Sequence, residues 1–225
     1  MNNQQFIDEM TKIQENILNF LSNEGDSDKN LQNLINLFDE FQIHDNKHKI
    51  NSLLHLLSKI LNNNHESTFL NKIEQIMKFL KEDIIKYFTN FEIFRIFQKN
   101  KLILLLLIEE KIITMDNYIV NAMTKPNYIK FQYHQFFSPE IKPFINDDWS
   151  QQNLIDEINK DVPINFFELR KKGENESFLC QLIRKDSITD FIVYINKENI
   201  SLDSIIKSSI FETNYFLLKN ENVSL

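Results

Sequence analysis

An all-α fold, arranged as an irregular α-solenoid of helix-turn-helix units, is predicted by three features of this sequence. Its 225 residues include only 2 Gly and 4 Pro, far below the shares found in turn-rich mixed or all-β folds. Apolar residues recur at spacings of three and four along most of the chain, which places them on one face of a helix. Short polar clusters such as "NEGDSDKN" and "IHDNKH" separate these periodic segments, as turns between packed helices do.

The elements follow in order. Phe6, Met10, Ile13, Ile17 and Leu21 form the stripe of a first helix, and Leu31, Leu34, Ile35, Phe38 and Phe41 that of a second. Asp45 or Asn46 is placed to cap a third, carrying Ile50, Leu53, Leu54, Leu57 and Ile60, because a short polar side chain can accept from the unpaired N–H groups of a first turn. After "NNNHEST" a fourth helix carries Leu70, Ile73, Ile76, Met77 and Leu80. Several shorter helices follow, with Thr89 and Asp116 as expected N-caps. Among them "LILLLLI", Leu102 to Ile108, is apolar all round and so should be deeply buried.

Three prolines, Pro126, Pro139 and Pro143, punctuate the next stretch. The expected organisation is therefore an N-terminal helical region over 1–125, a Pro-punctuated connection over 126–163 and a helical segment over 164–225. Periodicity returns with Leu154, Ile155 and Ile158, then with Phe166, Phe167 and Leu169. Gly173 after Arg170, Lys171 and Lys172 has the form of a helix C-terminus, with cations facing the negative end of the dipole. The stretch "GENESFLCQLIRKDSITDFIVYIN" then reads as paired helices over 177–186 and 187–196.

Internal similarity supports a repeat architecture. "IITMDNYIV" resembles "NISLDSIIK", with Asp116 matched to Asp203, and each follows the same plan of short helix, polar turn and second apolar helix. Reuse of such units is how solenoids bury a continuous core.

Composition excludes several function classes. A net charge of -7 and a pI near 5.3 oppose nucleic-acid binding, which is driven by counterion release to surplus Lys and Arg. The one cysteine can form no intrachain disulfide, and "MNNQQFIDEM" lacks the basic and apolar regions of a secretory signal. An intracellular, cytoplasmic location is expected. "LILLLLI" is closed by Glu109, Glu110 and Lys111, well short of the about 20 apolar residues of a membrane span, so membrane insertion is not expected.

No cofactor, metal or catalytic set is expected either. His44 and His48 have the i, i+4 spacing of a zincin, but Asp45 stands where that motif needs Glu and the stretch straddles a turn. His55 and His65 read as exposed residues. With only Gly25 and Gly173 there is no phosphate-cradling loop. Cys180 with His134 is the sole thiol–imidazole combination, and Cys180 sits among Phe178, Leu179, Leu182 and Ile183, the setting of an inert core thiol. The aromatic stretch containing Phe131, Tyr133, Phe136 and Phe137 reads first as core and second as a protein-recognition surface. Phe211 and Phe216 are added to that partner-binding set because, with Ile210, they would form the apolar edge of an uncapped solenoid.

The segments "NLINLFDEFQIHDNKHKI", "YFTNFEIFRIFQKNKLILLLLIEEKIIT", "FFSPEI", "RKKGENESFLCQLIRKDSITDFIVYIN" and "SSIFETNYFLLKN" together resemble protist ankyrin-repeat proteins that carry an all-helical N-terminal region of unknown function. The resemblance covers most of the chain. It implies a fold that becomes ankyrin-like toward the C-terminus, leading into an ankyrin array that would begin just after "NYFLLKNENVSL". It carries no catalytic residues. The expected function is a non-enzymatic helical-repeat scaffold for protein–protein interaction, the N-terminal part of an ankyrin-repeat protein. The alternatives are a self-associating capping or assembly domain, or an enzyme using Cys180.

Overall fold

A computed structural model of the chain describes residues 3–22, 27–63, 68–125, 133–145, 163–174, 177–203 and 209–213. Among them every regular element is helical. They fall into two compact units, Met1–Lys99 with Ile103–Thr114 and Asn100–Leu102 with Met115–Leu225.

The first unit is built from α1 (Asn3–Ser22), α2 (Ser27–Glu40), α3 (Lys47–Asn63), α4 (Thr68–Tyr87) and α5 (Asn90–Phe97). The residues from Ile103 of α6 (Lys101–Glu109) complete it. Helix α1 packs on α2, α3 and α4, and α3 packs on α4 and α5. The stripes meet as their spacing requires. Ile13 and Ile17 of α1, Leu34 and Phe38 of α2, Ile50, Leu53, Leu54 and Leu57 of α3, and Ile73, Ile76, Met77 and Leu80 of α4 are all buried. Each such side chain contributes about 1.5–3 kcal/mol by leaving water. Ile103 to Leu107 are buried as well, so the all-round apolar pattern of α6 marks an enclosed helix.

Polar groups close the helix ends. Asn46 Oδ1 accepts from the N–H groups of His48 and Lys49, capping α3. Thr89 and Glu92 form a reciprocal capping box on α5, satisfying two donors that the helix itself leaves open. Lys72 Nζ donates to the carbonyls of Phe20 and Leu21 at the end of α1, and Lys81 Nζ donates to Glu110 O just beyond α6. Both place a cation where orphan carbonyls gather.

With glycine so scarce, the helices terminate by an unusual choice of residue. Gln42, Lys111, Asp186 and Asn199 all have φ near +50°, the left-handed conformation that usually selects Gly. After each, the next N–H reaches back five residues: Ile43 to Phe38 O, Ile112 to Leu107 O, Ser187 to Leu182 O and Ile200 to Ile195 O. These are Schellman closures, and the carbonyls they satisfy offset the backbone strain at four non-glycine positions.

The second unit contains Asn100–Leu102, α7 (Asn117–Met123), α8 (Tyr133–Phe136), α9 (Ser138–Ile141), a 3-10 turn at Lys142–Phe144, α10 (Phe166–Lys172), α11 (Phe178–Arg184) and α12 (Ile188–Lys197). Asp116 caps α7 by accepting from Ile119 N–H, and Ser177 caps α11 by accepting from Cys180 N–H. Gly173 ends α10 at φ +66°, with its N–H donating to Leu169 O. Helices α11 and α12 pack as a hairpin joined by the tight turn at Lys185, Asp186 and Ser187. Pro139 lies in the first turn of α9 and Pro143 in the 3-10 turn, where the missing N–H costs nothing. Pro126 and the expected stripe of Leu154, Ile155 and Ile158 lie outside the described residues.

Candidate functional site

The aromatic residues expected at a recognition surface are core residues of the second unit. Tyr133, Phe136, Phe137 and Phe211 are all buried, the first of the two readings for the aromatic stretch around Tyr133, Phe136 and Phe137, while Phe211 was expected at an edge. Phe136 and Phe137 meet edge to face at 4.9 Å, and Phe166 meets Phe211 the same way at 5.6 Å. Phe211, expected on an uncapped edge, is 1% exposed, because its ring is plugged against α10. Ile210 beside it is half-buried, and Phe131 and Phe216 lie outside the described residues.

That core contains ionisable groups, of which Lys101 was not singled out in the sequence. Lys101 is 0% exposed. Its Nζ donates to Ile210 O at 3.1 Å and lies 5.6 and 5.4 Å from the ring centres of Tyr133 and Phe136. Burial pushes its ammonium down from 10.5 to about 7, while the charge of the buried Glu212 works in the opposite direction. Removing the water that solvates a cation favours its neutral form. Arg170, also buried, donates from one terminal nitrogen to Glu140 Oε2 at 2.7 Å and to Phe136 O at 3.3 Å, with three phenyl rings within 6 Å of its guanidinium. His134, next to Tyr133 on α8, is buried as well. A lysine at the first position of a helix is ordinarily solvated, so Lys101 carried no local signal of its burial.

The other candidates resolve individually. Cys180 is 7% exposed within α11. His44 and His48 diverge: His44 Nδ1 pairs with Asp83 while its Nε2 lies 3.6 Å from Asp39, and His48 packs its ring on Phe6 at 5.2 Å. His55 is exposed and His65 lies outside the described residues. Among the described residues no three His, Cys, Asp or Glu side chains are grouped to hold a metal ion, and no helix is long and apolar enough to cross a membrane.

The second unit also exposes several large apolar side chains. Phe178 and Ile183 on α11, and Ile188, Ile192 and Val193 on α12, are open to solvent, the last three at 65, 49 and 61%. Helix α12 turns Phe191, Tyr194 and Ile195 inward, at the spacing of one helix face. Ile188 and Ile192 stand one turn apart beside that stripe. Leu202, beyond the helix, is exposed too. The signal was present in "ITDFIVYINK", which has more apolar residues than one buried face can hold, but a helix apolar on several sides reads equally as a buried one. No family model, curated protein or solved structure matches the chain.

Proposed function

We propose that this chain is a non-enzymatic helical-repeat scaffold for protein–protein interaction, the N-terminal part of an ankyrin-repeat protein, and that the α11–α12 hairpin is the face on which the next repeat stacks. The observation that carries this reading is the group of exposed apolar side chains on one hairpin, Phe178, Ile183, Ile188, Ile192 and Val193. A helix pair that cannot bury its apolar surface alone is the defining condition of a repeat, which is completed by its neighbour. The Schellman closures after Lys111 and Asn199 support the solenoid reading, since each ends the second helix of a short pair. The burial of Cys180 within α11 favours a packing role over a nucleophilic one. The net charge of -7 favours protein partners over nucleic acid, and the single cysteine agrees with a cytoplasmic location.

The test uses the full-length gene product. Ankyrin repeats downstream that slow hydrogen exchange along α12, relative to the chain ending at Leu225, are the expected result. Absence of such repeats, or unchanged exchange in α12 when they are present, overturns the reading. If light scattering shows instead a dimer that Ile192→Glu abolishes, the self-associating cap takes its place.

A further inference from the structure

We draw no further inference here: the strongest candidate, the exposed apolar face of Ile188, Ile192 and Val193 on α12, belongs to the site already described, and nothing in the structure shows what covers it.

Discussion

The amide and the hydroxyl of Thr213 both donate to the carbonyl oxygen of Gly173, joining a segment near the C-terminus to the residue that ends α10. Gly173 is able to present that oxygen because it sits at φ +66°, where a side chain would meet the following carbonyl. A Cβ there would also stand 2.9 Å from Thr213 Oγ1 and 3.0 Å from Leu102 Cδ2. Gly173→Ala should therefore destabilise the second unit by about 2 kcal/mol, the left-handed strain plus part of a displaced hydrogen bond. Urea denaturation followed by tryptophan-independent far-UV dichroism measures this, and an unshifted midpoint would contradict the account.

Lys111 presents the opposite case. It holds φ +55° with a side chain open to solvent, so it bears the left-handed strain without any packing in return. Lys111→Gly should stabilise the first unit by about 0.5–1 kcal/mol, the relieved strain less the greater freedom of Gly in the unfolded chain. Thermal unfolding checks the sign, and a lowered transition temperature would show that the lysine side chain has a role not seen in its exposure.

The capping box at α5 makes stability depend on acid. Thr89 N–H and hydroxyl donate to Glu92 Oε2 at 2.8 and 2.9 Å, and these bonds, the backbone one foremost, hold the Glu92 carboxyl below its ordinary 4.5. A carboxyl lowered in the folded state contributes stability that is full above 4.5 and is lost as pH falls through the folded value. Thr89→Ala should cost about 1 kcal/mol at neutral pH. That cost should shrink under acid conditions, where protonated Glu92 no longer supports the box. A cost that stays constant down to about pH 3 would remove Glu92 from the explanation.

Lys49 is almost enclosed, and its Nζ donates to Glu9 Oε2 at 2.7 Å and to Phe41 O at 2.6 Å. It links α1, the turn after α2 and α3. Lys49→Ala should lower the stability of the first unit by about 3 kcal/mol, because it leaves a nearly buried carboxylate and a carbonyl without their cation. Adding Glu9→Gln should recover part of that loss. A double-mutant cycle gives the coupling directly, and additive losses would show that the pair does not act together.

The helices and most of their ends were legible in the sequence because they depend on local chemistry. The three-and-four spacing of Ile50, Leu53, Leu54, Leu57 and Ile60 marks a buried face whatever packs on it, and all five are buried. Thr89, Asp116, Ser177 and Gly173 close their helices through neighbours within four residues. Which residues are covered is a long-range property and only the tertiary structure decided it. Lys101 is enclosed by Ile210, more than a hundred residues away, and Tyr133, Phe136 and Phe211 became core and not surface because distant segments close over them. Ile188, Ile192 and Val193 are as apolar as the residues of any buried stripe, yet they remain open to water. Periodicity states which faces prefer burial, whereas burial itself requires a partner that the local sequence does not contain.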